Sequence, residues 1–272
     1  MFWQTTRYRI ALGRPQVMGI VNITPDSFSG GSQADTRAAL AHCEQLLKDG
    51  ADILDLGAES TRPGATQVPL AQELDRLLPV LREAVGLGVP VSVDTYKPRV
   101  MQAALDLGAD IINDIWALRW QDPADPLDGR GVVAGHAACG ICLMHMHGEP
   151  RTMQVHPMEG EVLPAVRAFL QAAAQDLRER GVAAERIVLD PGIGFGKRVE
   201  HNLALLARQR DAQDERRVRI ALTDTGRALR AEAEKIPACV LRSTQCTLPE
   251  LQALTGQLGT LRARLAPRRS HS

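Results

Sequence analysis

The 272-residue sequence predicts an α/β fold: a parallel TIM-type (β/α)8 barrel present as six βα units, followed by a mainly helical segment. Three observations carry this expectation. Short apolar runs recur at 16–22, 51–57, 89–94, 109–115, 140–145 and 186–190, each followed by a helix-length amphipathic stretch. The segment Gly50-Ala51-Asp52-Ile53-Leu54-Asp55 returns as Gly108-Ala109-Asp110-Ile111-Ile112-Asn113, 58 residues later, or two units of about 29, a period that suits the repeating unit of such a barrel. Near residue 211 the chain changes character: 20 of the 23 glycines lie before it, and net charge swings from −4 to +4. The expected organisation is a barrel over 1–210 and a second module over 211–272.

The runs read as strands of a sheet covered on both faces, because they are apolar without strict alternation. Between them, Leu40, Cys43, Leu46 and Leu47 fall on one helical face, Leu74, Leu77, Leu78 and Leu81 on a second, and Val166, Phe169, Leu170, Ala173 and Leu177 on a third. Each stripe should pack on the outside of the barrel. Beyond 211, residues 217–223 read as a strand with Val218, Ile220 and Leu222 on one face, followed by a helix interrupted at Pro237. A last helix opens at the capping box Thr247-Leu248-Pro249-Glu250 and runs through Leu251, Leu254, Leu258, Leu261 and Leu265.

Composition narrows the function. The chain is 44% apolar and carries 32 basic against 32 acidic residues, so no overall field favours a polyanion or an anionic membrane. No apolar run reaches the roughly 18 residues of a membrane span, and residues 1–14 lack the order of a signal peptide, so the expectation is a cytoplasmic protein. Five scattered cysteines fit a reducing compartment. The Cys139-Gly140-Ile141-Cys142 spacing resembles a redox dithiol, yet in a strand positions i and i+3 face opposite sides, which favours a structural reading.

In a parallel βα barrel every strand's C-terminal end opens on one face, and that face carries the active site. The run ends here are Asn22, Asp55, Asp94, Asn113 with Asp114, His145 and Asp190: six convergent polar ends. Singly, each would pass as a turn former. The loops beyond two of them, 22–31 and 59–64, are dense in hydroxyls and glycine and include Arg62, the donors that a diphosphate exchanges for its hydration. The loop after Asp190 carries Gly192, Gly194 and Gly196, which let backbone approach a flat ligand, with Phe195 as an aromatic wall. It is not a dinucleotide fingerprint, since no helix with an acidic ribose ligand follows at the required distance. His145 and His147 share a face, but a pair without a third ligand is not read as a metal site.

These blocks resemble dihydropteroate synthase. Asn-x-Thr-Pro-Asp-Ser-Phe-Ser at 22–29, Ser-Thr-Arg-Pro-Gly at 60–64, Ser-Val-Asp-Thr at 92–95, Asn-Asp-Ile at 113–115, Met-His-Met-x-Gly-x-Pro-x-Thr-Met-Gln at 144–154 and Asp-Pro-Gly-Ile-Gly-Phe-Gly-Lys at 190–197 occur in that family's order and spacing. The resemblance implies a transferase of folate biosynthesis that condenses 6-hydroxymethyl-7,8-dihydropterin diphosphate with p-aminobenzoate and releases diphosphate. It further implies that Asp94, Asn113 and Asp190 bond the pterin edge, with Asp94 and Asp190 offsetting positive charge as the carbon–oxygen bond breaks. Asn22 would contribute to an Mg²⁺ and diphosphate site, and Thr61 and Arg62 would contact the diphosphate or order the loops around p-aminobenzoate. Phe195 would line the p-aminobenzoate pocket and Met144 the pterin pocket. A homodimer is in keeping with it.

The resemblance covers roughly residues 8–210. The family's seventh strand ends in Ser-Arg-Lys and its eighth in Arg-x-His. No Ser-Arg-Lys occurs here, and the only histidine beyond His201 is His271, in the terminal tail. Residues 214–227 instead resemble the wing tip, return strand and following helix of MarR-type winged-helix repressors, with the last helix matching that family's dimerisation region. The alternative makes 217–223 a seventh barrel strand and 238–244 an eighth. Two functions are then open: an enzyme with reduced turnover, or a regulatory protein with a pterin-sensing barrel. Zero net charge and the absence of a recognition helix before the wing favour the enzyme.

Overall fold

The computed structural model describes residues 1–24, 32–60, 67–150 and 152–208. Thr61 and Arg62, Cys239 and Cys246, and the whole segment read as a second module lie outside the described residues.

A hairpin opens the chain: β1 (Phe2–Gln4) pairs antiparallel with β2 (Arg9–Ala11). Then βα units follow one another: β3 (Met18–Asn22), α1 (Ser32–Lys48), β4 (Ile53–Gly57), α2 (Leu70–Ala84), β5 (Val91–Asp94), α3 (Pro98–Asp106), β6 (Ile111–Asp114), α4 (Gly129–Gly135), β7 (Gly140–Met144), α5 (Val162–Glu179), β8 (Ile187–Asp190) and α6 (Val199–Arg208). Strands β3 to β8 form one parallel six-stranded sheet in sequence order, the arc of a barrel. All six expected strands are present, shortened by up to two residues at either end.

The order follows from local chemistry. α1 and α3 both run into a left-handed glycine, Gly50 at φ 101° and Gly108 at φ 96°. Each sits where an L side chain would be strained, and the backbone N–H of the next residue closes the helix end, Ala51 on Leu46 and Ala109 on Ala104. The sequence echo is therefore one helix-to-strand joint used twice. The helices bury the expected stripes, with Cys43, Leu77, Leu81, Val166, Leu170 and Leu177 in the core. Cys139 packs with the helices, whereas Cys142 faces the barrel interior beside Ile53 and Ile111, so the two thiols lie on opposite sides of the sheet.

The hairpin was not apparent in the hydrophobic pattern, because its strands have three residues each and carry too few apolar positions to register. It plugs the barrel's lower end: Trp3 and Ile10 pack on Ile53, Ile111 and Cys142, and Trp3 Nε1 donates to the Arg186 carbonyl at 2.9 Å. Buried Asp110 fixes the hairpin by accepting from Arg7 and from the backbone N–H of Val91.

Candidate active site

The register places one row of residues across the barrel's upper end: Asn22, Gly57, Asp94, Asn113, Cys142 and Val188 are partners on successive strands. Side chains two apart share a face. Asp55 and Ser92 therefore face inward from the row below, and Met144 and Asp190 from the row above. Asn113 Nδ2 donates to Asp55 Oδ2 at 3.1 Å. The Ser92 hydroxyl also bonds Asp55, whereas Asp94 Oδ1 is buried without a hydrogen-bond partner. An orphaned acceptor of this kind costs about 1–3 kcal/mol, and a ligand edge bearing N–H donors would recover that.

Electrostatics concentrate at the same end. Burial holds Asp94 well above the usual carboxylate range, reinforced by the charges of Asp55 and Asp114. Burial also raises Asp55 and Asp190, opposed for Asp190 by the Gly192 N–H (2.7 Å) and by Lys197. Burial, then Asp190 and Asp55, push Cys142 well up, which leaves an unreactive thiol. This end of the barrel can hold a polar ring edge, and a cationic centre placed there would draw Asp94 and Asp190 back toward their charged forms.

Asp114 has a different task from its neighbour. It accepts from the backbone N–H groups of Trp116 (2.8 Å) and Leu118 (2.6 Å), holding Ala117 and Leu118 at φ 50° and 60°. Asn113 thus faces the barrel and Asp114 caps the turn after it.

The wall above the row is apolar and aromatic. Met144 is buried with Tyr96, Ile115, Met146 and Met153, and Phe195, Trp116 and Trp120 pack against this cluster. Phe195 is therefore brought to the same patch as Met144, while Asp94, Asn113 and Asp190 lie at the ends of strands β5, β6 and β8. His145 is turned edge-on to Phe169 at 5.0 Å between centroids, and burial, then Lys197, lowers it to about 4, so its ring is neutral. Asn22 lies exposed at the end of β3. Among the described residues no group of three His, Cys, Asp or Glu side chains is placed to hold a metal ion.

One constellation escaped sequence reasoning. Lys97, 5% exposed, binds both Glu59 and Glu73 and donates to the Val68 carbonyl at 2.7 Å. Thr95 Oγ1 donates to Glu73 Oε1 (2.7 Å) and Tyr96 Oη to Glu59 Oε1 (2.8 Å), so the three residues after Asp94 are all anchored on these two carboxylates. A signal was available: Glu73 interrupts the inner stripe of α2, whose other buried members are Leu77, Val80, Leu81 and Ala84.

The model of the pterin binding enzyme family matches residues 18–223. The dihydropteroate synthase of Neisseria meningitidis serogroup B is 48% identical over 209 residues, 75% of this chain and 71% of that protein. That of Escherichia coli K12 is 43% identical over 200 residues, 72% of this chain and 68% of that protein. Among solved structures, Burkholderia cenocepacia dihydropteroate synthase complexed with 7,8-dihydropteroate superimposes with a TM-score of 0.66 at 50% identity, covering 76% of this chain and 69% of that one. The Xanthomonas albilineans dihydropteroate synthase with 4-aminobenzoic acid gives 0.67 at 42% identity, covering 76% and 72%.

Proposed function

The chain belongs to the pterin binding enzyme family, and from that premise we propose that it condenses 6-hydroxymethyl-7,8-dihydropterin diphosphate with p-aminobenzoate as a dihydropteroate synthase. The observation that carries this is the inward row at the barrel mouth, where Asp94 Oδ1 is a buried acceptor without a partner beside the Asn113–Asp55 pair. A pterin edge offers the matching N–H groups. Asp94, Asn113 and Asp190 bind that edge, and Met144 lies against the ring.

In the reaction the bond between the pterin methylene carbon and the diphosphate oxygen breaks, and its electron pair leaves with diphosphate. The amine lone pair of p-aminobenzoate forms the new carbon–nitrogen bond, and the nitrogen then loses a proton. Asp94 and Asp190 offset the positive charge that develops on the pterin side. Phe195 walls the aminobenzoate, and Thr61 and Arg62 contact the diphosphate or order the loops around the aminobenzoate.

An Mg²⁺ ion bound together with the diphosphate would be in keeping with the exposed Asn22 amide at the end of β3. Asn22 would supply one protein oxygen to an ion that needs only one or two. Its chemistry would be to neutralise the leaving group.

For the segment from residue 211, the pterin binding family match runs to residue 223, through the stretch that the MarR-type reading of 211–272 takes as wing tip and return strand, which supports the alternative of 217–223 as a seventh barrel strand. A DNA mobility shift that tightens in low salt would support that regulatory reading. A cytoplasmic location and a homodimer belong to the same proposal, the latter checked by light scattering.

Rescue of a folate-synthesis-deficient strain tests the function. A version carrying complete seventh and eighth units should restore growth, and the chain as it stands should restore it weakly or not at all. Failure of both would refute the enzymatic reading, and full rescue by the unaltered chain would refute reduced turnover.

A further inference from the structure

The loop after β8 is organised by a side chain to which the proposed chemistry gives no part. Lys197 is 3% exposed, and its Nζ donates to the carbonyls of Gly192 (2.9 Å), Phe195 (3.1 Å) and His145 (3.1 Å). An ammonium has three protons, and all three are used. Two acceptors belong to the loop, while the third lies just past β7, so the side chain joins two separate stretches of backbone.

The need for a cation there follows from the backbone. Gly192 and Gly196 adopt φ 64° and 69°, and a Cβ on either would fall on the carbonyl oxygen of His145 or His147 respectively. The loop thus lies directly against residues 145–147, an approach that crowds carbonyl groups together. Backbone bonds share the task, from the Phe195 N–H to the Gly192 carbonyl (3.1 Å) and from the His147 N–H to the Phe195 carbonyl (3.5 Å), while Lys197 is what brings the His145 carbonyl into the same group. Burial lowers Lys197 to about 8, opposed by the Asp190 carboxylate, so the ammonium form still prevails at neutral pH.

We propose that Lys197 is the positioning residue for the aminobenzoate half of the site: it gathers the carbonyls of His145, Gly192 and Phe195 onto one charge and so fixes the Phe195 ring against the Met144 cluster, touching neither substrate. The inference rests on reading Phe195 as the wall of the aminobenzoate pocket. Asn202 of α6 supports the same loop, accepting from the Gly194 N–H at 2.9 Å, and Gln154 Nε2 donates to the Gly194 carbonyl at 2.6 Å. The pterin-facing Asp94 and Asn113 are held instead by parallel strand pairing. Of the pterin-facing carboxylates only Asp190 borders this loop, accepting from the Gly192 N–H at 2.7 Å, and its own backbone is held in β8 opposite Met144, so the loop bears chiefly on the aminobenzoate half.

Calorimetry on the full chain separates the two halves, first with a pterin diphosphate analogue and then with p-aminobenzoate on the pterin-saturated protein. Lys197→Met, which keeps the apolar stem without the donors, should hold the pterin within about threefold and weaken p-aminobenzoate by at least about tenfold, since displacement of a binding wall acts on the ligand it contacts. Asn202→Ala, which leaves the lysine in place, should move p-aminobenzoate in the same direction by a smaller factor, and it carries the test should Lys197→Met not fold. Equal weakening of both ligands, unchanged p-aminobenzoate affinity in both variants, or a native protein that takes up pterin but no p-aminobenzoate would overturn the inference. A native protein that binds no pterin would refute the functional reading beneath it.

Discussion

Replacing Lys97 by Met removes the cation that lies between two buried carboxylates. Glu73 is 1% exposed and Glu59 8%, and each keeps one other hydrogen bond, from Thr95 and Tyr96 respectively. The Val68 carbonyl also loses its donor. Breaking a buried ion pair by removing one partner costs about 3–5 kcal/mol, because an uncompensated charge stays behind. At roughly 2–4 °C per kcal/mol for a domain of this size, melting should fall by about 6–20 °C near pH 7.5. Acid should soften the loss. Burial already raises Glu73, with Lys97 opposing it. Without Lys97 its folded-state value rises further, and protonation as the pH is lowered relieves the repulsion. Circular dichroism melts of Lys97→Met and native protein at successively lower pH read the effect. A loss below about 1 kcal/mol near pH 7.5, or one that grows on acidification, would refute the reasoning, since an exposed pair contributes that little.

Asp114, raised by burial to about 7, holds a folded value above its unfolded one, so its contribution to stability is fully present below the unfolded value near 3.8 and is lost as pH rises toward 7. Asp114→Asn should flatten the decline in melting temperature between about pH 5 and 7, and an unchanged slope would contradict that. Gly196→Ala should destabilise by at least about 2 kcal/mol in a denaturant melt, because the new Cβ meets the His147 carbonyl at a positive φ; a neutral result would show that the loop yields. Mg²⁺ should strengthen binding of the diphosphate-bearing pterin and not of the bare pterin, and an equal response of both would remove the metal from the leaving-group site.

The barrel was legible because its signals are local and repeated. Each βα unit carries an apolar run, an amphipathic helix and, at two of the joints, a glycine the backbone demands, Gly50 and Gly108. The strand-end residues were legible because parallel strands must all open at one end, which brings Asp94, Asn113 and Asp190 together whatever the loop lengths. The Lys97 network was not, because nothing local announces that Glu59, Glu73 and Lys97 meet. Their contacts span 24 and 38 positions and exist only once α2 lies against α3, whose N-cap is Lys97. Likewise, adjacent Asn113 and Asp114 look alike as strand-end residues, and only the pleat sends one inward and the other to the turn. The hairpin escaped for want of length, with its stability supplied by Trp3 and Asp110 rather than by its own pattern.

The central claim is that the row at the barrel mouth recognises a pterin through Asp94. Calorimetric titration of a pterin diphosphate analogue into the native chain and into Asp94→Ala tests it most directly. Losing a buried, ligand-directed acceptor should weaken binding by about 1–3 kcal/mol, roughly 5- to 150-fold, with the melting temperature of the free protein unchanged or raised because Asp94 Oδ1 is buried without a partner in the empty site. Equal affinity in the two proteins would contradict the account.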